Sequence, residues 1–209
     1  MSRQKTAGPT FLVFLGLMLL CSLVLTVLPR ILNPGRVERL ALTAAPEWVD
    51  VQLIHVDGTS RRGEKLEDLR NIVIHYVANP GSTALQNRNW YANPDSEVSS
   101  HFLVGLDGEV IQCLPLDEIS SASNHRNSDT ISIEVCHPDE SGAFTSESYV
   151  SLVRLTAWLL DTTGLTPSDV IRHYDITGKD CPRYFVRNED RWQAFLIDLA
   201  EALEADYSE

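Results

Sequence analysis

Two histidines and a cysteine lie in the sequence where they could bind one metal ion. His173 and Cys181 are eight residues apart in HYDITGKDCP, and Gly178 lets the loop between them turn back. His75, near the end of the β-branched run NIVIHYV, could add a ligand from another strand. Two imidazoles and a thiolate, with the fourth position left to water, are typical of catalytic zinc. Buried, hydrogen-bonded histidines and an inert cysteine would give the same spacing, so both interpretations stay open at this point.

The segments around these residues predict the framework that holds them. Runs of β-branched and other apolar residues predict strands at 49–56, 71–77, 131–136 and 170–173. Apolar residues at helical spacing predict helices at 84–92, 146–163 and 189–203. Residues 175–182 are predicted to form the loop that joins His173 to Cys181.

A β-hairpin is predicted where Asp107-Gly108 separates the apolar runs 101–106 and 109–114. This dipeptide is typical of a two-residue type I′ turn. One antiparallel hairpin among strands that are mixed with helices favours an α/β fold (α+β by some schemes), with a single mixed sheet flanked by helices. We expect this domain to occupy residues 46–209.

Residues 11–28, FLVFLGLMLLCSLVLTVL, form an uncharged apolar run. As a helix at about 1.5 Å per residue, the run would be roughly 27 Å long, close to the thickness of a bilayer core. A cleaved signal peptide, the alternative, has a shorter apolar region and a cleavage site flanked by small residues, which is missing here. The sequence therefore predicts one transmembrane signal-anchor at 11–28, with a cytoplasmic segment at 1–10 and a linker at 29–45. Basic residues flank the run on both sides, so charge does not set its orientation.

Composition excludes some classes of protein. The chain has 209 residues, 44% of them hydrophobic, which is enough for a substantial core. Its formal charge of -12 disfavours a nucleic-acid partner. Four cysteines are too few and too scattered for a disulfide framework. Cys113 and Cys136 lie in predicted strands that could be neighbours, which allows a disulfide or, as we prefer, two buried thiols.

Four motifs lie at 71–76 (NIVIHY), 98–104 (VSSHFLV, followed by Asp107-Gly108), 131–135 (ISIEV) and 171–182 (IRHYDITGKDCP). Together they resemble the zinc-dependent N-acetylmuramoyl-L-alanine amidases of phages and bacteria. The resemblance extends over roughly residues 69–185, and the motifs follow the order of that family. It implies the fold that these amidases share with animal peptidoglycan recognition proteins.

The resemblance also implies roles for single residues. His75, His173 and Cys181 match the three zinc ligands. Lys179 matches a lysine placed near the scissile carbonyl, and Glu134 matches the strand glutamate that many bacterial members use as a general base. Some members use a tyrosine instead, at the position that Ser100 occupies here. Proton transfer is therefore expected to depend on Glu134.

Three further polar residues are weaker candidates. Asn124 and His125 lie in the loop before the Glu134 strand, where members of the family line the groove for sugar and stem peptide; a solvated loop is the alternative. His101 lies in a strand, where a structural histidine, or one that orients a metal ligand, is more common than a ligand. All three are candidates for substrate binding.

The function implied by the resemblance is zinc-dependent hydrolysis of the amide between N-acetylmuramic acid and L-alanine in peptidoglycan. Two alternatives remain: a non-catalytic peptidoglycan-binding module, and a zinc peptidase that acts on the stem peptide. Because peptidoglycan lies outside the membrane, we expect a single-pass cell-membrane protein with an extracellular catalytic domain. A secreted protein is the alternative location.

Overall fold

Six strands in the described part of the chain form one sheet, and a strand with neighbours on both sides carries His75. The computed structural model describes Met18 and residues 34–56, 59–93 and 95–206. The strands are β1 (Val49–Val51), β2 (Asn71–Tyr76), β3 (Phe102–Val104), β4 (Val110–Gln112), β5 (Thr130–Val135) and β6 (Val170–Arg172). Their order in the sheet is β1-β4-β3-β5-β2-β6.

Strand directions bring the predicted functional residues to one edge of the sheet. β3, β5, β2 and β6 run parallel, whereas β4 is antiparallel to β3 and β1 is parallel to β4. The sheet is therefore mixed, as the sequence predicted. The register of β2 and β5 pairs His75 with Glu134, and His173 follows β6 directly. Carboxyl ends of parallel strands meet at one edge, the usual place for a binding site in such sheets.

Helices cover both faces of the sheet. They are α1 (Arg36–Leu42), α2 (Ala84–Tyr91), α3 (Ser146–Thr163), α4 (His173–Thr177), α5 (Arg183–Arg187) and α6 (Glu189–Asp206), with 3-10 helices at Asn124–Asp129 and Pro167–Asp169. The three predicted helices are confirmed as α2, α3 and α6. The Thr145 side chain caps the start of α3 by accepting from the N–H of Ser148. Gly164, at φ +67°, ends that helix in the left-handed conformation that glycine adopts without strain.

The main hydrophobic core lies between the sheet and helices α3 and α6. Alternate residues of β2 and β5 point into it: Ile72, Ile74, Ile131 and Ile133. They pack with fully buried helix residues such as Leu155 of α3 and Phe195 of α6. A large apolar side chain buried in this way contributes roughly 1.5–3 kcal/mol to stability.

The opposite face of the sheet has a smaller core under α2. Its buried members are Ile54, Ala84, Tyr91, Leu103, Ile111, Cys113, Leu114 and Cys136. Both cysteines are unpaired, which agrees with the prediction of two buried thiols. Because side chains alternate along a strand, His75 of β2 and Glu134 of β5 point to this second face.

The predicted hairpin joins β3 and β4, but its turn was predicted wrongly. The N–H of Gly105 donates to the carbonyl of Glu109 at 2.8 Å, and the N–H of Gly108 donates to the carbonyl of Gly105 at 3.2 Å. The loop therefore has three residues, 106–108, and ends in Gly108 at φ +84°. A left-handed glycine suits this loop as well as the type I′ turn, so Asp-Gly alone does not separate the two.

Two further segments differ from the sequence predictions. Residues 36–42 of the predicted linker form α1, whose Leu40 is buried in the main core and whose Arg39 donates to the carbonyl of Thr163 at 2.7 Å. The described residues from 36 to 206 accordingly belong to one compact unit. The predicted loop 175–182 begins inside α4, which extends to Thr177; at the start of this helix the Asp175 side chain accepts from the N–H of Arg172 at 2.8 Å.

The predicted anchor at 11–28 lies outside the described residues, apart from Met18. Among the residues that are described, none of the helices combines the length and the hydrophobicity needed to cross a bilayer.

Candidate active site

His75, His173 and Cys181 converge at the carboxyl edge of the sheet, and all three are buried. One ligand atom from each lies within 4.8 Å of the others. Sγ of Cys181 is 3.8 Å from Nδ1 of His75, and the two imidazole rings are 4.6 Å apart between centroids. The structure therefore brings together the three residues that the sequence proposed as metal ligands.

The segment after β6 folds back on itself to bring Cys181 beside His173. The N–H of Gly178 donates to the carbonyl of Tyr174 at 2.7 Å, and Gly178 adopts φ +73°, which ends α4. The N–H of Tyr174 then donates to the carbonyl of Cys181 at 2.8 Å. The turn predicted at Gly178 is thus confirmed.

Burial sets the charge state of the two histidines. It lowers the pKa of His75 well below its usual value, and nearby His173 and Lys179 lower it further. Burial and Lys179 also lower the pKa of His173. Both rings are therefore neutral at physiological pH, which is the form in which imidazole binds metals. Burial raises the pKa of the Cys181 thiol.

Glu134 lies beside the histidine pair with one oxygen unpartnered. Its Oε1 is 3.9 Å from Nδ1 of His75, whereas its Oε2 is buried and has no hydrogen-bond partner in the structure. Burial raises the pKa of Glu134 to about 8, although the positive charge of Lys179 acts in the opposite direction. A carboxyl group that lines a cleft beside two histidines and has a pKa near neutrality is typical of a proton-transfer group.

A cleft of about 770 Å³ opens over these residues. Its floor includes His75, Glu134 and Cys181, and the exposed Lys179 lines it as well. Residues of α2 line the cleft too, among them Trp90, which is 50% exposed. The cleft therefore places a cation and an exposed aromatic ring around the buried histidines and carboxylate.

The three weaker candidates occupy different places. Asn124 is exposed, and its Oδ1 lies 2.8 Å from Nε2 of His173. His125 is also exposed but does not line the cleft. His101 is fully buried: its Nδ1 accepts from the N–H of Ser132 and its Nε2 lies 2.8 Å from the carbonyl of Glu118. The prediction of substrate contact by His101 is therefore wrong, because both of its ring nitrogens hold the fold.

A profile of the N-acetylmuramoyl-L-alanine amidase family matches residues 65–184, more than half of the chain. The chain belongs to this family. Among the curated amidases, it is 31% identical over 163 residues to N-acetylmuramoyl-L-alanine amidase BlyA of Bacillus subtilis (strain 168). It is 32% identical over 142 residues to amidase XlyB of the same organism. These matches cover 68% and 66% of this chain but 44% of each relative, so this chain spans less than half of their length.

Solved amidase structures share the fold. A mutant endolysin from Bacillus subtilis superimposes with a TM-score of 0.64 at 26% identity, over 72% of this chain and 97% of that one. The catalytic domain of XlyA gives a TM-score of 0.63 at 26% identity, over 72% and 98% of the two chains. The resemblance to the amidase family that the motifs predicted is thus confirmed for the fold.

Three residues of this site were not predicted from the sequence. Ser123 places its Oγ 3.5 Å from Nε2 of His75 and 3.0 Å from Oγ of Ser132. Tyr91 lines the cleft, and Oγ of Ser100 donates to its hydroxyl at 3.4 Å. A phenol therefore does lie beside Ser100, but it comes from α2. Serines and a helix tyrosine carry no spacing signal, so only the folded chain could identify them.

Proposed function

We propose that this protein hydrolyses the amide bond between N-acetylmuramic acid and L-alanine in peptidoglycan, with zinc as its cofactor. The observation that carries the proposal is the convergence of His75, His173 and Cys181 under a cleft, in a chain of the amidase family. Names of the relatives, which are N-acetylmuramoyl-L-alanine amidases, support the choice of bond.

The donor set suits zinc in a catalytic role. His75, His173 and Cys181 supply two nitrogens and one sulfur, which zinc accepts in tetrahedral sites with one position left open. Glu134 lines the same cleft with its Oε1 3.9 Å from Nδ1 of His75, and its buried Oε2 has no hydrogen-bond partner. Zinc held by these three side chains would supply Lewis acidity, activating water and polarising the carbonyl at neutral pH.

Glu134 is the proposed general base. Its carboxylate takes the proton of the attacking water and returns it to the departing amine of L-alanine. Its raised pKa, about 8, suits both steps because the group can hold or release a proton near neutral pH. Such a group contributes typically a hundred- to ten-thousand-fold to the rate.

Lys179 is the proposed partner of the developing oxyanion. It lines the cleft, and its positive charge lowers the pKa values of His75, His173 and Glu134. A fixed donor aimed at charge that develops in the transition state contributes about 3 kcal/mol. We therefore assign Lys179 to stabilisation of the carbonyl oxygen of the scissile amide.

Mass spectrometry of a defined muropeptide digest tests the reaction. An amidase releases the intact stem peptide from the sugar, and a zinc chelator stops that release. A shortened stem peptide would instead identify a zinc peptidase. An uncut muropeptide that still binds would identify a binding module.

We also propose, from the sequence, that residues 11–28 anchor the protein in the cell membrane, with the catalytic unit outside the cell. An uncharged apolar run of this length supports the anchor, and access to peptidoglycan supports the orientation. Intact-mass analysis of the membrane fraction is expected to recover the full chain. A shorter form free in the medium would show that the segment is a cleaved signal and that the protein is secreted.

A further inference from the structure

We propose that Ser123 and Asn124 are positioning residues that fix which nitrogen of each histidine is free to bind the metal. The proposal rests on the zinc site of the preceding section. Each residue approaches one histidine at Nε2: Ser123 contacts His75, and Asn124 contacts His173. Two neighbours in the chain thus hold two candidate ligands that come from different elements, β2 and α4.

At His75, the two ring nitrogens face different partners. Nδ1 lies 3.8 Å from Sγ of Cys181, and Nε2 lies 3.5 Å from Oγ of Ser123. A neutral imidazole carries one proton, so a proton on Nε2 leaves the Nδ1 lone pair directed at the thiol side. The Ser123 hydroxyl is itself held, because its Oγ lies 3.0 Å from Oγ of Ser132.

At His173, the contact is shorter and its direction is clearer. Oδ1 of Asn124 lies 2.8 Å from Nε2 of the imidazole. An amide oxygen only accepts, so Nε2 carries the proton and Nδ1 keeps its lone pair for a metal. Hydrogen bonds to the second nitrogen of a metal-binding histidine are the usual means of fixing its tautomer and orientation.

The backbone holds Asn124 in place independently of His173. Asn124 has φ +56°, in the left-handed region that asparagine tolerates better than most residues. The turn before it is tied down by Asn127, whose Oδ1 accepts from the N–H groups of Ala122 and Ser123 at 3.2 and 2.6 Å. The turn therefore presents an amide oxygen to His173 as a built feature of the fold.

The test compares the zinc affinity of the full wild-type chain with that of three single-substitution variants, measured by competition with a chromophoric chelator. Asn124→Gly removes the amide and suits the left-handed backbone, so it separates the side-chain effect from strain. Asn124→Asp keeps an acceptor oxygen. We expect 10- to 100-fold weaker zinc binding for Asn124→Gly, the usual cost of losing such a partner, and binding within about threefold of wild type for Asn124→Asp. Ser123→Ala should weaken binding less than Asn124→Gly does, because the 3.5 Å contact is longer.

A second readout reports the tautomer itself. Long-range ¹H–¹⁵N spectra of the metal-free chain are expected to show His173 with its proton on Nε2 in wild type and Asn124→Asp, and a mixture of tautomers in Asn124→Gly. If the role of Asn124 were purely structural, Asn124→Gly would not change the tautomer signal without also changing the thermal melt.

The outcomes separate this inference from the proposed function. Wild-type zinc affinity in Asn124→Gly, or equal losses in Asn124→Gly and Asn124→Asp, overturns the role of Asn124. Unchanged affinity in Ser123→Ala overturns the role of Ser123. A wild-type chain that binds no zinc would refute the metal site itself, whatever the variants do.

Discussion

The two faces of the sheet differ in what they bury. On the face under α3 and α6, the alternate residues Ile72, Ile74 and Ile133 are packed among other apolar side chains. On the opposite face, the same two strands bury His75 and Ser132, with Glu134 beside them. Polar groups that are buried cost free energy unless they are paired, and Oε2 of Glu134 is not paired. The first face therefore stabilises the fold, whereas the second has a buried oxygen without a hydrogen-bond partner at the site of the proposed reaction.

The largest effect is expected from His173→Ala on the second face. Zinc content should fall from one equivalent to nearly none, and hydrolysis of muropeptide should fall below detection, because two ligands do not hold catalytic zinc. The metal-free chain should lose only about 1 kcal/mol of unfolding free energy, the net contribution of one hydrogen bond. Metal analysis and urea unfolding measure the two quantities.

A matched pair at Cys181 controls for that result. Cys181→Asp should retain more zinc than Cys181→Ala, since a carboxylate is also a zinc ligand. If His173→Ala keeps a full equivalent of zinc, the ligand assignment is wrong.

Glu134→Gln should slow kcat by about two to four powers of ten while zinc stays near one equivalent. Glutamine keeps the shape of the side chain and removes the basic carboxylate. Stability should stay near that of the wild type, because a pKa of about 8 already leaves the buried carboxyl mostly neutral at pH 7, and glutamine is neutral as well. Single-turnover kinetics on a defined muropeptide is the measurement. Retention of more than about a third of wild-type kcat would mean that another group moves the proton.

On the first face, Phe195→Ala should lower the unfolding free energy by about 3–5 kcal/mol, because it opens a cavity in the main core. Phe195 is fully buried and packs against Phe185 and Trp192. Chemical denaturation gives the stability, and kcat per zinc-loaded molecule gives the activity. A variant that is still folded should turn over near the wild-type rate; a thousandfold loss of kcat would break the separation between the two faces.

The smallest predicted effect is a pH dependence that comes from His101. Burial lowers its pKa from 6.5 to about 4. Above pH 6.5 the ring is neutral in both the folded and the unfolded chain; as the pH falls toward 4, the unfolded chain takes up a proton first, so stability is lost. Wild type should lose about 2 kcal/mol more than His101→Gln between pH 8 and pH 5. Denaturation midpoints at the two pH values provide the comparison, and parallel losses would show that His101 does not titrate in this way.

The sequence determined the candidate ligands and the main elements. His75, His173, Cys181 and Glu134 all lie where the motifs placed them, since short motifs carry local backbone geometry and residue type together. Helix α3 followed from its apolar period and from Gly164. The prediction failed at α1, because that helix is held by packing of Leu40 against residues far away in the chain. It failed in the hairpin turn as well, because the local pattern does not show which residues form the last hydrogen-bonded pair.

Tertiary structure alone decided how those residues are supported. The hydrogen bond between Asn124 and His173 joins residues that are 49 positions apart in the chain. The hydroxyl of Tyr91, which belongs to helix α2, lies beside Oγ of Ser100. His101 became a structural residue because the fold supplied partners to both of its nitrogens. A sequence states which side chains can bind a metal or accept a proton, whereas pairing and burial, which arise when distant segments pack, decide which of them are left free to do so.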